Sequence, residues 1–525
     1  MRKYLDNAKT YMFLDILFST LYTFCVGAIP IVTKFLLDYA STLTLIRLGY
    51  YISIYLSLAI LCMIFQYFSQ YFCWKWTANI EFDLRYRLLN SIMNFDFNDY
   101  QTYKKDEYLS MFSNDITAIS DQYFLKIVDI IKSSLMLVIY GAYMVYFLNI
   151  YIALVIVFTS LLTLFLPKLT GEKLSDKRVK YINSLGNLTN TISDILSGFA
   201  LTNIRNKKNV MDYFNQDAKI VKDNELRYGH FKAFTIVFNG LMMYLLDIAA
   251  FSIAGLMLVL KKITLGTATA TLSYVKEFVW PIRYIIDDIN EINAIKKVVK
   301  KNENINARIE KVKEPVDFTS QISFQNAMVD FESFRLATFN YNFEKGKKYL
   351  IIGPSGSGKS TILNCINQQV SLTQGHLLLD EKDMADVELA YLLSGVYKGN
   401  HIYDTTVLDN ITMFSTYRLD ALNAYLKSKP NAKINDLMKQ KDATNLSNGE
   451  KQMVSLLRVY LSNTPIVLLD EAFSAIDVIN RPYFIDMFLA DKNRLVVMIS
   501  HDYDERLVAK FDKVLKINNG KYLEE

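Results

Sequence analysis

Apolar positions fall into six long runs over the first 290 residues and into short runs after that. The long runs cover about 12–37, 50–75, 127–148, 150–170, 233–260 and 264–290. Each meets the ~20 residues that a helix needs to cross ~30 Å of hydrocarbon. Their connections alternate. Tyr39–Gly49, Leu148–Tyr151 and Lys261–Leu265 are short, whereas 76–126 and 171–232 are long, polar and helical in pattern. That alternation predicts three membrane hairpins standing on long helical legs. Beyond a charged linker, Lys297-Lys-Val-Val-Lys-Lys301 to Glu314-Pro315, the runs shorten to strand length: Ile322–Phe324, Lys348–Ile352, His376–Leu379, Ile466–Leu469 and Leu495–Ile499. Helical stretches lie between several of them, the pattern of a soluble α/β domain.

Composition and charge sharpen this division. The chain has 525 residues, 51% hydrophobic and 14% aromatic, more apolar surface than soluble cores of this size hide. The net charge of +5 is a sum over unlike regions, since 11–75 and 125–170 are nearly uncharged while 200–230 and 295–350 are lysine-rich. It is therefore no nucleic-acid signal. The short connections hold only Arg47, Lys261 and Lys262 as cations, so the positive-inside rule puts the N-terminus, the long segments and the C-terminal domain in the cytoplasm. The apolar run after Met1-Arg-Lys3 is too long for a cleaved signal and reads as a retained first span. Of four cysteines, Cys25, Cys62 and Cys73 lie in apolar runs and Cys365 lies in the C-terminal domain. No Cys-x-x-Cys pair or His/Cys cluster exists, so reduced, structural thiols are expected.

The sharpest chemical signal is Gly353-Pro354-Ser355-Gly356-Ser357-Gly358-Lys359-Ser360-Thr361, a P-loop pattern directly after the apolar Tyr349–Ile352. Glycines let successive N–H groups face phosphates, and the helix that follows offers its positive end. Lys359 can reach the β- and γ-phosphates, and Ser360 can place its hydroxyl on magnesium. The fold class is thus multi-domain. An all-α transmembrane domain of six helices with long cytoplasmic extensions (1–300) leads through a linker (301–317) to an α/β P-loop ATPase domain (318–525).

The motifs downstream say which ATPase this resembles. Leu446-Ser447-Asn448-Gly449-Glu450 precedes Lys451-Gln452. Ile466–Leu469 then ends in Asp470-Glu471, followed by Ser474-Ala-Ile-Asp477 and Val497-Met-Ile-Ser-His501. In order and spacing these resemble the signature, Walker B, D-loop and switch histidine of the ATP-binding cassette (ABC) family, and the six spans resemble its exporter half-transporters. The resemblance implies roles for these residues. Asp470 and Ser360 would hold magnesium, Glu471 would orient or deprotonate the attacking water, and His501 would bond the γ-phosphate. Phe331 would stack on adenine, and Asp477 belongs to the D-loop. Ser447, Asn448, Gly449 and Glu450 would contact ATP held by a second cassette, so a dimer is implied. Two positions depart from the pattern: Lys398 stands where the family has glutamine, and Asn448 where it has glycine. Competent Walker motifs beside an altered signature favour a heterodimer with a second half-transporter over a homodimer.

The resemblance also implies coupling helices at Phe97–Tyr103 and Ile195–Asn203. Asp15, Asp247, Lys276, Glu277 and Arg283 fall in or near apolar runs, where a charge faces a cavity or pairs within the bundle. The expectation is ATP- and Mg²⁺-dependent export across the cytoplasmic membrane, in contact with lipid and without nucleic acid. An importer on the same fold and an ATP-gated channel or signalling partner are the alternatives. The chain starts close to its first span with no peptidase-like segment, so cargo cleavage is not expected. Nothing in the sequence identifies the cargo. Richness in Tyr, Asn, Lys and Ile suggests an AT-rich bacterial genome.

Overall fold

The computed structural model describes residues 8–95, 97–148, 154, 166–306, 316–331, 334–397, 401–501, 503–518 and 520–523. The chain divides into two compact units, residues 1–93 with 103–308 and residues 94–102 with 309–525.

The first unit is helical. Its long helices are α1 (Lys9–Asp38), α2 (Leu45–Met93), α3 (Lys105–Phe147), α4 (Leu166–Ser197), α5 (Lys207–Val259) and α6 (Leu265–Asn306). Among the described residues, α1, α2 and α3 are long and apolar enough to cross a membrane, and α5 carries a shorter apolar stretch, Asp247–Val259. Most of the expected span at 150–170 lies outside the described residues. At 1.5 Å per residue α2 is about 70 Å long, over twice the hydrocarbon thickness, so one helix serves as both span and leg. The legs of α4 and α5 pack on each other through stacked Tyr181 and Tyr228 and a 2.6 Å bond from Thr191 Oγ1 to Asp217 Oδ2. Between them a tight turn at Phe199–Leu201 leaves Phe199, Leu201 and Ile204 at 73%, 79% and 97% exposure.

Small residues let the spans approach. A side chain at Gly27 of α1 would lie 2.6 Å from the Tyr143 ring of α3. Tyr274 of α6 donates its hydroxyl to the Gly27 carbonyl. Two ionic clusters join the helices of this unit. Asp15 is fully buried and accepts from Ser69 Oγ (2.7 Å) and Trp76 Nε1 (3.1 Å), and it meets Lys132 Nζ at 2.7 Å. That network ties α1, α2 and α3 together. Lys126 binds Asp288 at 3.1 Å, joining α3 to α6. Of the other charges that the sequence places near the spans, Arg283 lies 3.6 Å from Asp287, Lys276 is exposed, and Asp247 and Glu277 are half-buried.

The second unit holds two sheets. The antiparallel one has the order β2 (Phe334–Glu344), β1 (Gln321–Phe331), β4 (Gln374–Leu379), β5 (Lys382–Asp383). The larger has the order β10 (Lys521–Leu523), β9 (Lys513–Asn518), β3 (Lys348–Ile352), β8 (Leu495–Ile499), β7 (Ile466–Asp470), β6 (Leu393–Val396), parallel from β9 to β6. Its helices are α7 (Lys359–Ile366), α8 (Val407–Thr412), α9 (Asp420–Ser428), α10 (Ala432–Met438), α11 (Asn448–Ser462), α12 (Arg481–Leu489) and α13 (Glu505–Val508).

Strands β3, β7 and β8 are buried throughout, and their alternate residues feed two cores, as a pleated strand with both faces covered must. Leu350, Leu469 and Met498 join the helical side with Leu457 and Phe484. Tyr349, Leu468 and Val497 join the side of the antiparallel sheet with Phe324, Phe339 and Ile362. The short one-turn helix Phe97–Tyr100, at the expected first coupling segment, groups with this second unit.

Candidate nucleotide-binding and hydrolysis site

The chemistry-bearing residues collect where the parallel strands end. Ile351 pairs with Ile499, and Asp470 pairs with Ile499 from the other side. The carboxyl ends of β3, β8 and β7 therefore lie side by side, ~5 Å apart per strand. An open α/β sheet presents ligand sites along this edge. Gly353 follows β3, His501 follows β8, and Glu471 follows β7.

The P-loop needs its glycines for two reasons. Gly353, Gly356 and Gly358 have φ of 151°, 77° and 102°, values that side chains disfavour. A Cβ on Gly353 would also collide with the Ile517 carbonyl, whereas one on Gly356 would meet open space. Gly358 is the N-cap of α7, so Lys359, Ser360 and Thr361 form its first turn. Pro354 and Ser355 are exposed on the loop, while Ser357 is buried and its hydroxyl makes no hydrogen bond. Lys359 curls back and donates from Nζ to the carbonyls of Gly353 (2.8 Å) and Pro354 (2.6 Å). Loop N–H groups, a helix start that no side chain caps and an ammonium turned into the loop form a donor set suited to phosphate oxygens.

Asp470 closes β7 and is buried. Glu471 follows with φ 50°. Its N–H donates to the Ile499 carbonyl at 3.2 Å, and its Oε1 lies 2.9 Å from Nε2 of His501. A carboxylate and an imidazole are thus aligned on neighbouring strand ends beside the P-loop. Among the described residues no cluster of three or more His, Cys, Asp or Glu could hold a metal. Magnesium takes one or two carboxylates and completes its shell with phosphate and water, and a P-loop Ser or Thr hydroxyl can join it. Ser360 and Asp470 fit this role.

The signature segment starts α11. Ser447 is its N-cap and forms a reciprocal capping box with Glu450. Asn448 is exposed at the first helical position and has no positive φ, so the backbone there does not demand glycine. Gly449 is needed for room, because a Cβ on it would stand 2.8 Å from the Ala475 carbonyl. Asp477 of the D-loop pairs with Lys433 of α10 at 2.6 Å and caps the following turn through Asn480. Phe331 ends β1, with its side chain outside the described set, and Lys398 lies outside the described residues altogether.

Two contributors escape a motif-based reading. Gln452 is buried; it donates from Nε2 to the Glu471 carbonyl (3.2 Å) and to Ser474 Oγ (3.3 Å) and accepts from Ala475 N–H (2.7 Å). One amide thereby joins the signature helix to the Walker B turn and the D-loop. Its sequence signal is a polar residue on the apolar stripe with Leu456 and Val459. Arg458, one helical turn and a half further on, donates to the carbonyls of Asn410 (2.8 Å) and His401 (3.2 Å), anchoring the chain that follows Lys398.

Comparison with known proteins bears on this geometry. A family model described as ABC transporter transmembrane region matches residues 12–282, and one described as ABC transporter matches residues 336–474. The chain is similar over 100% of its length to the putative multidrug export ATP-binding/permease protein YgaD of Bacillus subtilis, at 23% identity and covering 95% of that protein. The mitochondrial iron-sulfur clusters transporter ATM1 of Yarrowia lipolytica is 32% identical over 46% of this chain and 36% of its own. A solved bacterial Atm1-family ABC exporter with ATP bound matches with a TM-score of 0.80 over 99% of this chain and 95% of its own, at 16% identity, a likeness of fold.

Proposed function

The chain belongs to the ABC transporter family, which makes it an ATP-binding, ATP-hydrolysing membrane transporter, and we propose that it is one half of a dimeric exporter of the Atm1 and multidrug type. The observation that carries the catalytic reading is the 2.9 Å pairing of Glu471, after β7, with His501, after β8, the strand next to the P-loop strand. Glu471 accepts the proton of the attacking water or orients it, and the one N–H of a neutral His501 either holds Glu471 in place or turns to the γ-phosphate. Lys359 exchanges its loop carbonyls for β- and γ-phosphate oxygens, with the N–H groups of Ser355–Thr361 around them. Magnesium supplies positive charge against the phosphates when bound, and Ser360 and Asp470 hold it. By the family pattern Phe331 would stack on the base, and Lys398 takes the place of the family's glutamine.

Ser447, Asn448, Gly449, Glu450 and Asp477 serve the nucleotide of a second cassette. The departures at Asn448 and Lys398 beside a full Walker set favour a different chain as that partner. Residues 1–300, 301–317 and 318–525 are the transmembrane domain, linker and cassette. The exposed apolar tip Phe199, Leu201 and Ile204 suits a coupling contact. Phe97–Tyr103 would be the other coupling segment. Cassette closure then rocks the legs and alternates access to the spans. The membrane is the cytoplasmic membrane of a bacterium, with the cassettes inside.

The test is Mg-ATP hydrolysis in nanodiscs with Glu471→Gln as the blank, joined to transport in inverted vesicles. Hydrolysis lost in the variant and ATP-driven accumulation inside the vesicles are expected. Depletion from the vesicles would overturn the direction, and hydrolysis that survives the substitution would overturn the role of Glu471.

A further inference from the structure

Tyr274 fixes the depth of the middle of α6. Its hydroxyl bonds the Gly27 carbonyl of α1. Gly27 lies ~17 Å along that apolar helix from its end at Asp38. The hydrocarbon is ~30 Å thick, so this part of α6 stands near the bilayer midplane. One side of α6 is packed there, where Tyr274, Val275, Phe278 and Ile282 share a core with Ile31 of α1 and Tyr140 of α3. On the other side Ser273, Lys276, Trp280, Arg283 and Tyr284 recur at helical spacing, and all are exposed.

That face does not suit lipid. Among the described residues α6 is not one of the helices apolar enough to cross a membrane. Lys276 places an ammonium at mid-depth, where its four-carbon stem cannot carry the charge to either interface. A charge so deep faces a water-filled cavity or a partner. Among the described residues no carboxylate pairs with Lys276. The neighbouring acid, Glu277, turns toward Tyr140 of α3. Asp287 is engaged with Arg283 at 3.6 Å. One positive charge is therefore left uncompensated. A flat aromatic platform begins one helical turn away. Trp280 and Tyr284 stack with centroids 5.9 Å apart and planes at 27°, and the Arg283 guanidinium lies 5.7 Å from the Trp280 ring.

We infer that this face of α6 binds the cargo, and that the cargo is an organic anion with a flat apolar body, its acid group on Lys276 and its ring against Trp280 and Tyr284. The inference deepens the exporter reading above and rests on it. An ammonium and an acid group ~4 Å apart, at a dielectric between those of protein surface and water, strengthen binding by roughly tenfold or more. The aromatic faces add contact area that an anion without a ring forgoes.

The experiment uses the full-length assembly, purified with whatever chain accompanies it, in phosphatidylcholine nanodiscs. Equilibrium dialysis without ATP compares three probes built on one ring system: naphthalene-2-sulfonate, 2-naphthyltrimethylammonium and 2-naphthalenemethanol. The sulfonate should half-saturate the protein at a concentration about tenfold below the other two. Lys276→Gln should erase that preference, Lys276→Arg should keep it, and Trp280→Ala should weaken all three probes. Equal binding of the three probes, or a preference for the cation, overturns the inference even where a variant fails to assemble. So does sulfonate selectivity that survives Lys276→Gln while the accompanying chain is released, because the lysine would then be an intersubunit ion pair. Sulfonate binding lost in phosphatidylglycerol nanodiscs at matched ionic strength would make this a lipid-headgroup site and also overturn it. ATP-driven uptake of the sulfonate into inverted vesicles tests the exporter reading separately. Lys276-dependent binding without uptake would uphold the site and overturn export.

Discussion

Glu471 occupies the left-handed region of backbone space, φ 50°, immediately after a buried strand. A side chain there costs about 1–2 kcal/mol, and functional sites are where such strain collects. Glu471→Gly should therefore raise the thermal midpoint while removing turnover. Glu471→Gln should keep ATP binding and cut hydrolysis by roughly 10²–10⁴-fold, the usual weight of a general base. A midpoint that falls in the glycine variant would refute the strain argument. Asp380 has a structural role. Burial alone would raise its pKa, but bonds from the Ser320 and Thr319 hydroxyls and the N–H groups of Ser320, Gln321 and Thr319 outweigh that and hold it far below the usual carboxylate range. A depressed folded pKa stabilises above the unfolded value near ~3.9 and loses that contribution as pH falls below it. Asp380→Ala should destabilise the cassette by about 1–3 kcal/mol at pH 7 and flatten its acid sensitivity below about pH 4, read by urea titration across pH. Burial pushes the Cys365 thiol up to about 12, so a maleimide at neutral pH should label it only after unfolding.

Elements explain which parts of the fold are legible in sequence. Strands β3, β7 and β8 read as continuous apolar runs because both their faces are covered. β2 and β9 do not, because Asn340, Asn342, Lys513 and Lys516 interrupt the apolar positions on strands that are partly exposed. The long helices are legible as spans plus polar legs, but no periodicity reveals that α2 is one unbroken helix from Leu45 to Met93. The motifs place Glu471 and His501 at strand ends, whereas Gln452 is silent because its role lies in a fold-dependent contact. Gln452→Leu should leave the Ala475 N–H without its acceptor, cost about 1–3 kcal/mol, and lower kcat more than it raises KM, since Glu471 loses a support rather than the nucleotide a ligand. Equal changes in both constants would speak against that. Within the bundle, removing one partner of the Asp15–Lys132 pair should cost about 3–5 kcal/mol, and Asp15→Asn with Lys132→Met together should cost less than the two single changes summed. A double-mutant cycle on thermal midpoints decides.

At the scale of the whole molecule, the sheet order carries a consequence for synthesis. The P-loop strand β3 lies between β8 and β9, and both neighbours emerge later, at Leu495–Ile499 and Lys513–Asn518. At about 5–20 residues per second the ribosome needs on the order of 10–30 s for the roughly 150 residues between β3 and β8. Through that interval the nascent chain exposes an apolar strand with both edges unpaired, a hazard for chain-to-chain pairing. Chaperone occupancy on translating ribosomes should peak between those two points, and stalled chains should retain no ATP until β8 and β9 have left the exit tunnel.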